Sequence, residues 1–397
     1  MPKTLERFPV RYDLHKYLGR KPWYILDNLV ERYSKVEDTV LDLFSGSGVA
    51  SFEALRLNRN VIAVDHSQLS ELITKTLCSY HRIDKFDQAI SGLFKKLEPI
   101  KHIYYVSSGS ETGALEYWVP NLHKGKIIIG KNPKNIDNID VSDFIYSEEI
   151  DAFRWEHANT IIPKLQGSNI SIWKEVFSKR AQYVLNNALE YINSIADPNT
   201  KNALLAALSA SLEKTSLLNH FKVGMKGWIR DKPLCYYKPP DYIEFNAIKS
   251  IENKITKMRM AMIETNNLLK NGHGSFKFMR EHAENLSYKG VADLIIADPP
   301  YLSEVPYDKL EALHDIWLGY KPEKQNIHEV FDSIALRSYN VLAEHGILVL
   351  LLLNYEKESR EFFTNGLIRN NFIKVKETRT QIGSKEGLSI SVFKKSV

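Results

Sequence analysis

Cysteine is scarce in this sequence. Its 397 residues contain only Cys78 and Cys235, which form no CxxC pair. This scarcity argues against a disulfide framework and suits a reducing compartment. It argues equally against a structural zinc site built on thiolates. None of the histidines has metal-ligand spacing, so we predict no metal site.

Long apolar runs are also missing. The most apolar stretch, residues 347–353, is far too short to span a bilayer and is typical of a strand buried on both faces of a sheet. Residues 1–9 lack the apolar core of a secretory signal. We therefore expect a cytoplasmic protein with no membrane partner.

The excess of positive charge is small. The net charge is +5 and the isoelectric point is about 8.8, which permits nucleic-acid binding without requiring it. Hydrophobic residues make up 44% of the chain and charged residues 25%, as in an ordinary globular protein. The length fits two domains, one of them inserted into the other.

Two zones of the sequence alternate strand and helix patterns. In the first zone, residues 1–80, a helix at 23–33 precedes a buried strand at 39–44, a glycine-rich turn, a helix at 49–57 and a strand at 60–65. This βαβ order predicts a parallel sheet. Residues 276–397 continue the alternation, beginning with a strand at 292–297. We predict an α/β catalytic domain made of residues 1–80 and 276–397.

The middle zone breaks this alternation. Residues 103–106 and 114–119 flank a Ser-Gly turn and predict a β-hairpin, and residues 171–219 and 246–270 have strong helical patterns. We therefore predict that residues 81–275 form a large, mostly helical inserted domain.

The glycine-rich turn is the first candidate binding site. Gly46 and Gly48 follow Asp42, and glycines allow a sharp turn and the close approach of a ligand. The helix that follows offers free N–H groups to an anion, while Asp65 ends the next strand, where a carboxylate can bind ribose hydroxyls. The alternatives are a turn without a ligand and an N-terminal helix cap supplied by Asp65 or Ser67. Ser51 replaces the third glycine of a dinucleotide fingerprint.

The tetrapeptide Asp298-Pro299-Pro300-Tyr301 is the second candidate site. It follows the strand at 292–297, and the carboxyl ends of such strands are where α/β sheets bind ligands. The two prolines remove N–H donors, so their carbonyls and Asp298 form an acceptor-rich corner suited to an NH2 group. Tyr301 adds a flat face for stacking a base. The alternative is a proline-rich turn with a capping aspartate.

DLFSGSG together with DPPY resembles the amino-methyltransferase family, which methylates adenine N6 or cytosine N4 in DNA. The segments KYLGRKP (16–22) and HAEN (282–285) are similar to further cofactor motifs of that family, and 305–318 resembles a subgroup with a long central insertion. The resemblance implies a Rossmann-like S-adenosylmethionine-dependent methyltransferase sheet. It implies a catalytic corner of Asp298, Pro299, Pro300 and Tyr301. It implies a cofactor site of Lys21, Pro22, Asp42, Leu43, Phe44, Ser45, Gly46, Gly48, Asp65, His66, Ala283, Glu284 and Asp298.

This resemblance predicts methyl transfer from S-adenosylmethionine to adenine N6 in double-stranded DNA. Cytosine N4 is the close alternative, because DPPY serves both bases. A methylase acting on RNA or protein amines and a DNA-binding subunit with a vestigial cofactor fold are further alternatives. The candidate partners besides DNA are a restriction endonuclease or a second subunit, and the oligomeric state stays open.

A basic, aromatic segment of the insertion is the candidate DNA reader. Such a mixture can hold phosphates and stack on bases, although a solvated loop is nearly as plausible. The predicted DNA-binding residues are Lys222, Lys226, Trp228, Arg230, Lys232 and Tyr236. A second lysine run, at Lys124, Lys126, Lys131 and Lys134, is more typical of a solvated hairpin edge.

Overall fold

The computed structural model divides the chain into two compact units. It describes residues 9–17, 19–108, 111–144, 148–221, 228–230, 232–300, 307–321, 326–353, 357–382 and 386–396. Unit 1 comprises Met1–His81, Met260–Val305 and Glu323–Val397, and unit 2 comprises Arg82–Arg259 and Pro306–Pro322. Within the described ranges, no helix is both long and apolar enough to cross a membrane.

The elements of the described chain are numbered in chain order. The strands are β1 (Thr39–Asp42), β2 (Asn60–Asp65), β3 (Tyr105–Ser108), β4 (Glu111–Val119), β5 (Lys124–Ile129), β6 (Asn132–Asp137), β7 (His220–Phe221), β8 (Trp228–Ile229), β9 (Glu244–Phe245), β10 (Phe276–Arg280), β11 (Ala292–Ala297), β12 (Leu342–Leu353), β13 (Phe372–Ile382) and β14 (Glu386–Lys395). The helices are α1 (Trp23–Tyr33), α2 (Val49–Arg56), α3 (Gln68–Leu77), α4 (Ile83–Leu97), α5 (Glu148–Ala152), α6 (Lys179–Asn193), α7 (Pro198–Thr215), α8 (Ala247–Leu269), α9 (Tyr307–Leu318), α10 (Ile327–Val341) and α11 (Lys357–Arg369).

Unit 1 is built on a seven-stranded sheet in the order β10-β2-β1-β11-β12-β14-β13. Strands β10, β2, β1, β11 and β12 are parallel, and β14 lies antiparallel between β12 and β13. The order reverses between β1 and β11, and in such sheets the ligand crevice lies outside the carboxyl ends of the strands at that point. The predicted α/β fold with a Rossmann-like, mainly parallel sheet is confirmed.

The core of unit 1 follows from apolar strands that are covered on both faces. Leu294, Ile295 and Ile296 in β11 are at most 1% exposed, as their unbroken apolar sequence predicts. Phe331 and Phe363, from α10 and α11, pack in the same cluster. Because this core holds β1 and β11 side by side, it fixes the loops that follow both strands.

Unit 2 combines helices with an antiparallel sheet. Strands β3, β4, β5 and β6 pair in that order, and β9 pairs with β4. The predicted hairpin is present as β3 and β4, whereas residues 103–104 lie in a 3-10 helix. Helices α6 and α7 account for the predicted helical stretch, which begins at Lys179 rather than at residue 171. The five-stranded sheet goes beyond the mostly helical domain expected from the sequence.

The unit boundaries differ from the expected insertion of residues 81–275. The C-terminal part of α8 belongs to unit 1, where Glu264 binds Arg11 and Asn266 binds the backbone of His81. Helix α9 belongs to unit 2, where Trp317 stacks on Trp155 with ring centroids 4.3 Å apart. Strand and helix alternation along the chain carries no information about these contacts.

Candidate active site

The glycine-rich turn leaves the end of β1 and is tied to both neighbouring strands. The N–H of Leu43 donates to the carbonyl of Ile296 at 3.0 Å, and the N–H of Ser45 donates to the carbonyl of Val64 at 2.9 Å. Phe44 packs against the core of unit 1. These bonds place the turn at the carboxyl end of the sheet, directly before the first residue of α2.

Both glycines of the turn have left-handed backbones and close neighbours. Gly46 has φ +49° and Gly48 has φ +74°. A Cβ at Gly46 would lie 2.9 Å from Cε1 of Tyr17, and a Cβ at Gly48 would lie 2.8 Å from Oγ1 of Thr74. Glycine is therefore required at both positions for the backbone conformation and for the space. The Tyr17 ring over the turn was not among the predicted site residues, although its segment was.

Asp42 is buried at the end of β1. Its Oδ2 accepts the N–H of Ser51 at 3.1 Å and the hydroxyl of Ser51 at 2.7 Å. Burial raises the pKa of Asp42 to about 7, and the neighbouring charges of Asp65 and Asp298 raise it as well. The charges of Asp65 and Asp298 are therefore close enough to Asp42 to act on its protonation.

Asp65 lies at the end of β2 and organises the turn. Its Oδ2 accepts the N–H of Gly46 at 2.8 Å, and its Oδ1 accepts the N–H of Ser67 at 2.9 Å. The cap of α3 is Ser67, whose hydroxyl oxygen accepts the N–H of Ser70 at 3.1 Å. The alternative role of Asp65 as the helix cap is therefore taken by Ser67. A carboxylate oxygen has a second lone pair, so these bonds are compatible with ligand hydroxyls.

Two imidazoles follow the ends of β2 and β10. The rings of His66 and His282 stack with centroids 5.0 Å apart and an angle of 13° between their planes. Ala283 is buried beside them in the core cluster, and the backbone carbonyl of Glu284 accepts the Nε of Arg337 at 3.1 Å. The predicted cofactor residues His66, Ala283 and Glu284 therefore lie near the ends of the neighbouring strands β2 and β10.

The acceptor-rich corner follows the end of β11. Oδ2 of Asp298 accepts the ammonium of Lys21 at 2.6 Å. Oδ1 of Asp298 is buried and has no hydrogen-bond partner among the residues that the structure describes. Burial raises the pKa of Asp298, and the charge of Lys21 opposes that shift. Pro299 is buried and Pro300 is half-buried, whereas Tyr301 lies outside the described residues.

The segment before α1 is anchored by a buried ion network. Glu53, on α2, is fully buried and accepts Arg11 at 3.0 Å as well as the hydroxyl of Tyr12. Arg56 donates to the same carboxylate at 2.7 Å. Pro22 precedes α1 as its N-terminal flanking residue. This network was not predicted; an acidic residue in the otherwise apolar face of α2 was its only signal.

Two of the predicted DNA-binding residues lie inside unit 2. Arg230 is 10% exposed, lies 3.4 Å from Glu213 and donates to the carbonyl of Cys235. Tyr236 is fully buried, and its hydroxyl donates to the carbonyl of Lys309 at 2.8 Å. We therefore revise the prediction for both residues, because bonds within the unit engage the Arg230 guanidinium and no face of the Tyr236 ring is exposed.

Of the other DNA-binding candidates, the structure describes Lys232 and the backbone of Trp228. Lys232 is exposed, and its ammonium lies 3.9 Å from the ring centroid of Tyr237. The backbone of Trp228 pairs with Phe221 in the two-stranded β7–β8 sheet. Lys222 and Lys226 lie outside the described residues.

A family model described as DNA methylase, N6_N4_Mtase, matches residues 4–75. The match includes the segment before α1, the glycine-rich turn and Asp65. It supports the resemblance to the amino-methyltransferase family, methyltransferase activity and S-adenosylmethionine as the cofactor. No curated protein matches the chain.

Solved structures give weak likenesses. The rRNA methyltransferase aviRa from Streptomyces viridochromogenes is 8% identical, with 97% of this chain and 90% of that chain covered and a TM-score of 0.32. TYW2 of P. horikoshii in complex with MeSAdo is 8% identical, with 94% and 63% covered and a TM-score of 0.28. This chain spans less than two thirds of the length of several such structures. Scores this low carry no argument about substrate.

Proposed function

We propose that this protein transfers a methyl group from S-adenosylmethionine to adenine N6 in DNA, with cytosine N4 as the alternative target. The observation that carries the proposal is the buried Oδ1 of Asp298, which has no donor in the described part of the chain and lies where the strand order reverses. A buried carboxylate oxygen without a donor is costly, and a ligand N–H is the natural group to satisfy it.

The residues around the turn fit S-adenosylmethionine. The first N–H groups of α2 have no helical carbonyl partners. Asp42 accepts the N–H of Ser51, and those of Val49 and Ala50 suit the carboxylate of the methionine end. Asp65 suits the ribose hydroxyls, and His66 with Ala283 suits the purine. The charge of Asp65, at the same end of the sheet as the turn, suits a ligand that carries a sulfonium and an ammonium. When bound, the cofactor supplies an electrophilic methyl group.

The chain's own part in the reaction is to hold and activate the target amine. An exocyclic amine is a poor nucleophile because its lone pair is delocalised into the ring. If one N–H donates to Oδ1 of Asp298 and the other to the carbonyl of Pro299, the nitrogen becomes pyramidal and its lone pair is freed. Such catalysis relies on positioning and electrostatics. A base in a duplex must first leave the stack to reach this corner.

We infer that unit 2 supplies the DNA-reading surface of the enzyme. The candidate DNA contacts that remain are cations that pack over aromatic rings, as Lys232 does over Tyr237. Lys238 has a similar place 4.0 Å from the ring centroid of Tyr242. Pairs of this kind can contact a phosphate and a base together.

The test is transfer of a labelled methyl group from S-adenosylmethionine to unmodified duplex DNA of high sequence complexity, followed by nucleoside analysis. We expect label in N6-methyladenine. Label in N4-methylcytosine would keep the enzyme class and replace the target. Label on RNA alone, or S-adenosylmethionine binding without transfer to any DNA, would refute the proposal. Absence of cofactor binding would favour a DNA-binding subunit with a vestigial fold.

A further inference from the structure

Lys21, a predicted cofactor residue, contacts Asp298 of the candidate catalytic corner. Its ammonium donates to Oδ2 of Asp298 at 2.6 Å and to the carbonyl of Gly19 at 3.0 Å. The Lys21 side chain is 5% exposed and that of Asp298 is 25% exposed, so the contact is largely shielded from solvent. The two residues lie 277 positions apart, and the fold of unit 1 brings them together.

The contact gives the two oxygens of the Asp298 carboxylate different surroundings. One oxygen is held by Lys21, while Oδ1 stays buried and has no donor among the described residues. We propose that Lys21 is a positioning residue, which fixes the orientation of Asp298 and keeps it ionised so that Oδ1 is presented to the target amine. This inference rests on the proposed function, because it assigns Lys21 a part in that reaction.

The positive charge of Lys21 explains why a lysine suits this position beside Asp298. Burial favours the protonated form of Asp298, and a protonated carboxyl that points its O–H at an amine cannot accept from it. A nearby cation lowers the pKa of such a carboxyl by about 1–3 units. Without Lys21, Asp298 would become protonated at a higher pH and would be free to rotate.

The first test compares Lys21→Met and Lys21→Arg, with Lys35→Met as the control because Lys35 is exposed. We expect Lys21→Met to lower kcat at least tenfold at pH 7 and to shift the acidic midpoint of the kcat profile upward by about 1–3 units. Lys21→Arg should restore most of the shift, and the affinity for S-adenosylmethionine should change less than threefold. A uniform loss of kcat without a shifted midpoint, or a parallel loss of cofactor binding, would overturn the inference.

The second test does not depend on methyl transfer. The thermal midpoints of Lys21→Met, Asp298→Asn and the double variant form a double-mutant cycle. We expect the double variant to lose less stability than the sum of the single losses, because each single change removes one charge of the ion pair and leaves the other. Additive losses would overturn the inference. If wild-type protein shows no transfer while the cycle shows coupling, only the proposed function fails.

Discussion

Asp42 makes the stability of unit 1 depend on pH in an unusual direction. Its pKa is about 7 in the folded protein, against 3.8 for the unperturbed group. The folded state therefore binds the proton more tightly than the unfolded state does. The sign follows from linkage: stability falls as pH rises from about 4 through about 7, and the cost is complete above the folded pKa.

The size of this effect follows from the difference in pKa. A difference of about 3 units corresponds to roughly 4 kcal/mol, of which about 3 kcal/mol falls between pH 5 and pH 8. Asp42→Asn is uncharged and can still accept from Ser51. We therefore expect the variant, without cofactor, to lack this loss and to gain stability over wild type as the pH rises from 5 to 8.

The assay is urea unfolding at pH 5, 6, 7 and 8, followed by hydrogen exchange in peptides from β1 and β11, which report on unit 1 alone. Glu31→Gln is the control, because Glu31 is exposed on α1. The control should follow the wild-type pH dependence. If Asp42→Asn also follows it, burial does not hold Asp42 protonated and the electrostatic account of the site is refuted.

Three further predictions concern other parts of the fold. Glu53→Leu removes the buried carboxylate that accepts Arg11, Tyr12 and Arg56, although Arg11 keeps its pair with Glu264, and it should destabilise unit 1 by about 3–5 kcal/mol in the same urea assay. Gly46→Ala should lower the affinity for S-adenosylmethionine at least tenfold, as measured by calorimetry. The control is Gly290→Ala, at φ +60° with nothing within 4 Å of the added carbon, which should leave this affinity unchanged. Equal effects of the two variants would contradict the argument that the lack of a side chain at Gly46 allows the cofactor to approach. Lys232→Ala should weaken DNA binding and reduce its salt slope by about 1, and an unchanged slope would place the DNA surface elsewhere.

The parallel sheet and its turn could be predicted because their signals are local. The apolar strand before Asp42 and the glycines after it specify a strand, a turn and a helix within a few residues. The strand before Asp298 can be predicted in the same way from its apolar sequence. Parallel strands align their carboxyl ends, so the sequence also predicts that both segments lie at the same end of the sheet.

The remaining contacts depend on tertiary packing that no local pattern records. The Tyr17 ring over Gly46 and the bond from Lys21 to Asp298 join segments that are distant in sequence. The composition of the basic, aromatic segment predicted an exposed surface, yet Tyr236 is buried in the interior of unit 2. A tyrosine can be buried in this way when its hydroxyl has a hydrogen-bond acceptor. Trp317 is a second case that no local sequence pattern could predict, since its stack on Trp155 places α9 in unit 2.

The most direct test of the central claim separates cofactor binding from methyl transfer in Asp298→Ala. The variant removes both carboxylate oxygens, so the side chain no longer offers an acceptor for the target amine. We expect S-adenosylmethionine to bind within threefold of wild type, while label transfer to DNA falls by at least a hundredfold, on the scale of losing a group that acts in the transition state. Transfer by Asp298→Ala at a rate close to that of wild type would contradict the assignment of this carboxylate as the acceptor of the target amine.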